Sequence, residues 1–177
     1  MILTDTDILR EIEQGSIVID PFSRGCLGSN SYDIHLGNTL AVYTEPHLDA
    51  KINNPITEFT IPDSGFLMQP NELYLGVTSE YTETHSHIPF LEGKSSVGRL
   101  GIDIHATAGK GDIGYCNTWT LEISVKKPVK VYAGMPIGQL IYFTASGPVI
   151  TLYKDKPSAK YTSRSDRPVS SKMYKNF

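Results

Sequence analysis

Once past its first residues, the chain is interrupted too often for long helices. Short apolar or alternating runs follow one another, each closed by Gly, Pro, Asn or Asp. Period-two alternation with frequent turn residues is the signature of short strands. The runs are Ser16 to Ile19, Ser31 to Leu36, Thr39 to Tyr43, Phe59 to Ile61, Phe66 to Gln69 and Leu73 to Thr78. They continue as Ile102 to Thr107, Thr118 to Val125, Val129 to Tyr132, Gln139 to Thr144 and Val149 to Tyr153. Turns are expected at Pro62-Asp63-Ser64-Gly65 and Ala133-Gly134. Many short strands without intervening helices imply a Greek-key sandwich, a jelly roll or a barrel, in which loops hold ligands.

One helix precedes them. Thr4 is placed to cap it, Asp5 and Asp7 suit its first turn, Ile8, Leu9 and Ile12 share a face, and Gly15 ends it. The segment from Glu45 to Thr57, with Pro46 and Pro55, reads as a surface excursion. No internal repeat or low-complexity linker divides the chain, so a single domain is expected over 1–177: the helix to 15, a β core over 16–153 and a tail over 154–177.

Charge is unevenly distributed. The tail carries Lys154, Lys156, Lys160, Arg164, Arg167, Lys172 and Lys175 against Asp155 and Asp166, a balance of +5; the whole chain is at −3, which leaves −8 on the body. An acidic body excludes broad nucleic-acid binding, which needs a basic face, while a small polyanion fits under a basic tail. Apolar periodicity ends at Tyr153, so the tail lacks a core of its own and is expected to order over a ligand. No run approaches a membrane span, no basic leader precedes an apolar stretch, and Cys26 and Cys116 are too far apart in sequence to suggest a disulfide framework. A reducing, cytoplasmic setting is expected.

Two stretches carry chemistry. In Gly93-Lys94-Ser95-Ser96-Val97-Gly98-Arg99, hydroxyls and cations alternate with glycines that let backbone amides approach an oxyanion. It lacks the order of a Walker loop, and a solvated Ser-Gly loop would have the same composition. In Trp119 to Val125 the odd positions are apolar, which places Thr120, Glu122 and Ser124 together on the opposite face. A glutamate there is either solvent-exposed or functional.

Those segments, with Thr107-Ala108-Gly109, Asp112-Ile113-Gly114, Thr120-Leu121-Glu122 and Gly138-Gln139-Leu140, resemble the ordered motif series of bacterial and archaeal dCTP deaminases, relatives of the trimeric dUTPases. Ser31-Tyr32-Asp33, Gly134-Met135 and Ala159-Lys160-Tyr161 extend the similarity over nearly the whole chain. The resemblance implies a mainly β fold, a distorted jelly-roll or dUTPase-like barrel with a short N-terminal helix and a C-terminal tail. It also implies a homotrimer with sites at subunit boundaries, feedback by dTTP, and hydrolysis of the dCTP amino group to dUTP and ammonia.

The residue roles it implies are specific. Glu122 relays protons, while Ser95 and the Ala108 carbonyl hold the attacking water beside Arg99. Lys94, Ser95, Ser96, Val97, Gly98 and Arg99 form the substrate loop. Asp112 meets the deoxyribose, Thr120, Leu121 and Glu122 meet the base, and Gln139, Tyr153 and Lys160 meet the phosphates. Arg164 stands where the family usually has a glutamine on the phosphates. Mg²⁺ is expected to ride on the triphosphate, with no protein metal ligands. Zinc is not expected in catalysis, because the H-x-E and P-C-x-x-C pattern is missing; His85 and His87 are the nearest approach to a ligand pair.

Ala108-Gly109 resembles the branch that continues to dUMP and diphosphate, where a small residue after the alanine leaves room for a second water. The alternatives are release of dUTP, a plain dUTPase, and a non-catalytic nucleotide-sensing module.

Overall fold

The computed structural model describes residues 1–177. Thr4 caps the first helix, α1 (Asp5–Glu13), through a reciprocal pair: its hydroxyl accepts from the Asp7 amide, and the Asp7 carboxylate accepts from the Thr4 amide at 3.2 Å. Ile8 is fully buried beneath the helix, and Gly15, at φ +72°, closes it in a conformation that favours glycine.

Twelve strands follow: β1 (Ile17–Asp20), β2 (Tyr32–Tyr43), β3 (Ile56–Thr60), β4 (Phe66–Met68), β5 (Tyr74–Thr78), β6 (Tyr81–Thr84), β7 (His87–Gly93), β8 (Ile102–Asp103), β9 (Cys116–Asn117), β10 (Thr120–Val125), β11 (Val129–Val131) and β12 (Pro136–Thr144). The largest sheet runs β7-β12-β2-β5-β10-β8, with β3 also on β2. A second runs β1-β6-β9, and β4 pairs with β11. All pairings are antiparallel. The fold is thus mainly β with a barrel-like sheet, as the sequence implied.

Three departures from the sequence reading have physical causes. The two runs Ser31–Leu36 and Thr39–Tyr43 form one strand, β2. Its first part pairs with β12 and the rest with β5 and β3, and the ladder is irregular between Leu36 and Leu40. Gly37 sits in that break, where a Cβ would lie 2.9 Å from the Val77 carbonyl oxygen, so β2 bends there rather than ending. Strands β6 and β7 were missed because Tyr81–Thr84 is polar and Pro89 interrupts β7. The proline is tolerated because β7 is the end strand of its sheet, beyond which only the loop at Gly109–Gly111 bonds to it, and there Pro89 takes part through its carbonyl, accepting from the Gly111 amide at 2.8 Å. Neither Ile102 to Thr107 nor Val149 to Tyr153 extends as expected: β8 stops at Asp103, and the second stretch leads into a 3-10 turn at Tyr153–Asp155.

The 23-residue core is built mainly from α1 and the strands, with residues such as Tyr32, Leu40, Leu121, Ile123, Leu140 and Tyr142. Each fully buried Leu or Ile contributes about 1.5–3 kcal/mol. The tail adds no residue to this core, in keeping with its loss of apolar periodicity. No helix is long and apolar enough to cross a membrane.

Candidate active site

Strand β10 alternates as its sequence demands. Leu121, Ile123 and Val125 are buried, while Thr120, Glu122 and Ser124 are half-buried on the other face. That face is not open solvent. Thr120 and Glu122 form part of the wall of a cavity of about 590 Å³, a volume in the range of small-molecule sites. The segment from Ala106 to Asp112 supplies another wall, Leu73 and Leu75 a third, and Tyr115, Asn117 and Thr118 stand beside them. Tyr153, Tyr161, Ser165, Val169 and Ser171 come from the tail.

Glu122 is held at both ends. Its backbone amide donates to the Ile104 carbonyl at 3.0 Å, and its carboxylate Oε2 accepts from the Ala106 amide at 3.0 Å. This explains why β8 is short: the chain leaves the sheet after Asp103, and the Ala106 N–H turns toward the acid. Asp112 accepts from Lys110 Nζ at 2.9 Å and Lys156 Nζ at 3.1 Å. The Lys110 contact is the main reason its carboxyl lies below the usual range; partial burial opposes it, and Lys156 adds to it.

The tail is anchored to the body. Asn117, only 3% exposed, donates through Nδ2 to the carbonyls of Tyr161 at 3.3 Å and Ser163 at 2.8 Å, and its Oδ1 accepts from the Ser165 amide at 3.0 Å. Thr118 Oγ1 donates to the Ser165 carbonyl, Thr120 Oγ1 accepts from the Val169 amide at 3.1 Å, and the Tyr43 hydroxyl accepts from the Ser171 amide. The tail's order therefore comes from these contacts, which corrects the expectation that it orders only over a ligand. Its charge is also used differently. Arg167 pairs with Glu58, Lys172 donates to the Lys160 carbonyl, and the Arg164 guanidinium lies 4.2 Å from the Tyr81 ring centroid. Lys156 is the tail cation tied to a cavity residue; Lys110 is a second cation at the cavity, and the sequence reading missed it.

Of the residues singled out from sequence, Ala108, Asp112, Thr120, Glu122 and Tyr153 converge on the cavity. Lys94, Ser95, Ser96, Val97, Gly98, Arg99, Gln139, Lys160 and Arg164 do not line it. The substrate loop is a single helical turn, α2 (Ser95–Gly98), rather than an open Gly-Ser loop. Val97 is buried in the core, Ser95, Ser96 and Arg99 are exposed, and Lys94 pairs with Asp33. The Leu121 side chain is fully buried in the core, so a base can meet only its backbone. Gln139 faces Ser31.

Gly109 packs tightly against its neighbours. A Cβ there would meet the Leu91 carbonyl oxygen at 2.6 Å and His105 Nε2 at 3.0 Å. The glycine lets the loop approach β7, where the Leu91 amide donates to the Gly109 carbonyl at 2.7 Å. His85 and His87 do not converge either: His85 Nε2 bonds Glu83 at 2.8 Å, while buried His87 bonds Ser86 and faces Glu11.

The missed cavity residues Ala106, Asn117 and Tyr161 act through backbone or amide groups, on irregular segments or, for Asn117, on the two-residue strand β9, where periodicity gives no signal. A sequence profile described as dCTP deaminase-like matches residues 2–145. The chain belongs to the dCTP deaminase-like family.

Full-length relatives bear the same stamp. A protein of Leptospira biflexa named dCTP deaminase, dUMP-forming, is 46% identical over 177 residues, covering 100% of this chain and 98% of its own length. Proteins of the same name from Clostridium botulinum and Cytophaga hutchinsonii are 45% and 43% identical, and each match covers 100% of this chain and 99% of theirs. A crystal structure of 2'-deoxycytidine 5'-triphosphate deaminase from Agrobacterium tumefaciens superposes with TM-score 0.65 at 19% identity. It covers 81% of this chain and 48% of that one, about half, and supports the fold.

Proposed function

We propose that this chain hydrolyses dCTP to dUTP and ammonia and carries dUTP on to dUMP and diphosphate, consuming one water in each step. The observation that carries the reading is Glu122: a carboxylate on the wall of a nucleotide-sized cavity, fixed by the Ala106 amide. The full-length similarity to proteins named dUMP-forming supports the second step.

In this reading Glu122 takes a proton from the water attacking C4 and delivers it to N3, then passes the remaining proton of the new hydroxyl to the amino group, which leaves as ammonia as the C4 carbonyl forms. Such acid-base help contributes about 10²–10⁴ in rate. The Ala108 carbonyl on the same cavity orients the water, Asp112 stands by the sugar, and Lys110 and Lys156 draw the phosphates. The tail residues on the cavity wall exclude bulk water.

Ser95 and Arg99 are exposed and outside the cavity, so we assign them to the cavity of a neighbouring copy in a homotrimer. The cavity's two carboxylates, Asp112 and Glu122, offer no dedicated cage, and Asp112 is already engaged by two lysines. Mg²⁺ therefore fits as a passenger on the phosphate oxygens, where it would neutralise charge. A reducing cytoplasm suits the free Cys26 and Cys116, and dTTP, with a pyrimidine and the same triphosphate, is the expected feedback ligand.

The test is incubation with dCTP and Mg²⁺, with ammonia quantified and dUTP separated from dUMP. Ammonia with dUMP in equal amounts is expected. Ammonia with dUTP alone would restrict the activity to deamination, and tight dCTP binding with no ammonia would make the chain a nucleotide sensor.

A further inference from the structure

Strand β6 carries Tyr81 and Glu83 on one face, and His85 follows at the same spacing just beyond its end; the buried Thr82 and Thr84 alternate with them. In the antiparallel register Cys116 of β9 stands directly opposite Glu83. One carboxylate oxygen of Glu83, a ring nitrogen of His85 and the sulfur of Cys116 lie within 4.8 Å of one another, and all three residues are half-buried. None lines the nucleotide cavity.

We propose that Glu83, His85 and Cys116 form a site for a thiophilic divalent cation, Zn²⁺ by preference, separate from the catalytic cavity. Sulfur, imidazole nitrogen and carboxylate oxygen are the three donor types that Zn²⁺ takes, at about 2.3, 2.0–2.1 and 2.0–2.2 Å. Tetrahedral ligands at those lengths stand roughly 3.5 Å apart, so the existing spacing closes on an ion with side-chain adjustment alone. Three protein ligands leave the fourth position to water. A thiolate and an imidazole together select against Mg²⁺ and Ca²⁺.

The donors already have supporting contacts. The Tyr81 hydroxyl donates to Glu83 Oε1 at 2.8 Å, which leaves Oε2 for His85 or the ion. Burial raises the Cys116 thiol, and Glu83 adds to this, while Lys154 and a hydrogen bond from the Thr84 backbone pull the other way. Binding of the ion would deprotonate the sulfur and release its proton. The ordinary alternative is a Glu83–His85 ion pair beside an idle cysteine. The two readings differ in whether Cys116 participates. The location also has a consequence: Cys116 precedes Asn117, so an ion bridging β9 to β6 would fix the strand that anchors the tail.

The test uses Co²⁺ as a spectroscopic stand-in for Zn²⁺, titrated into the full-length protein after treatment with chelator. The expected result is a thiolate-to-cobalt charge-transfer band with tetrahedral visible bands, displaced by Zn²⁺ but not by Mg²⁺. Cys116→Ser should abolish the charge-transfer band, and Cys26→Ser should keep it. Loss of a second-sphere partner already weakens metal sites about 10–100-fold, so His85→Ala should weaken Co²⁺ binding by at least about tenfold. Glu83→Gln, nearly isosteric, should weaken it too, and ammonia release from dCTP reports whether each variant is folded. Absence of the band in the wild type, its survival in Cys116→Ser, or unchanged affinity in both folded His85 and Glu83 variants would overturn the site.

Discussion

Replacing Asn117 with alanine removes three hydrogen bonds that run from one buried side chain into the tail, to Tyr161, Ser163 and Ser165. Each such bond contributes about 0.5–1.5 kcal/mol net, so the three together are worth about 3 kcal/mol. At about 1.4 kcal/mol per factor of ten, the ratio of docked to undocked tail should fall by about two orders of magnitude. The body should be spared, because the bonds lost within it are few. Hydrogen exchange read by mass spectrometry resolves the two: amides over 154–177 should lose protection, while those of α1 and β10 keep theirs. In turnover assays the KM for dCTP should rise more than kcat falls, since the tail supplies part of the cavity wall. Tail exchange that matched the wild type, in a protein with unchanged exchange elsewhere, would refute Asn117 as the anchor and leave the contacts through Thr118 and Thr120 as the effective ones.

Glu122→Gln should still accept the Ala106 amide and bind dCTP, yet lose about 10²–10⁴ in ammonia release; isothermal titration beside a turnover assay checks this, and full activity would remove Glu122 from the proton path. Gly109→Ala forces a methyl group against the Leu91 carbonyl, and a melting curve should show destabilisation of about 1–3 kcal/mol together with reduced turnover as the loop shifts. His87 is buried, and burial, only partly offset by Glu11, holds its imidazole below the ordinary value of about 6.5. The unfolded chain therefore binds more protons between the two values; stability is complete above about pH 6.5 and declines as pH falls through the folded value. Urea titrations from about pH 8 to about pH 5 should show that decline, and His87→Gln should flatten it.

The β class, the capped helix and the alternation that puts Glu122 opposite Leu121 were all legible, because period and punctuation are local properties. Strand β7 was hidden by Pro89, whose cost vanishes only when β7 is known to be an edge, and that is a fact about topology. In the cavity, Ala108, Asp112, Thr120, Glu122 and Tyr153 came from motifs. Ala106 and Asn117 did not, because an amide that caps a carboxylate and an asparagine that clips a distant segment leave no periodic trace. Gly109 was recognised as small, and the structure adds a packing reason that the sequence does not carry: it admits a neighbouring carbonyl. The separation of α2 from Glu122 could not be read from one sequence at all, since the motif series gives order along a chain and says nothing about distance in space.

The amide of Ala106 occupies one oxygen of Glu122. The other oxygen carries no such bond and is the better placed to exchange a proton, so in the proposed mechanism a single atom would both collect it from the nucleophile and hand it to the heterocycle. Attack and protonation are then confined to neighbouring positions of the ring, within the swing of one carboxylate, and a nucleotide bound with its amino group turned away from that atom would sit in the cavity unreacted.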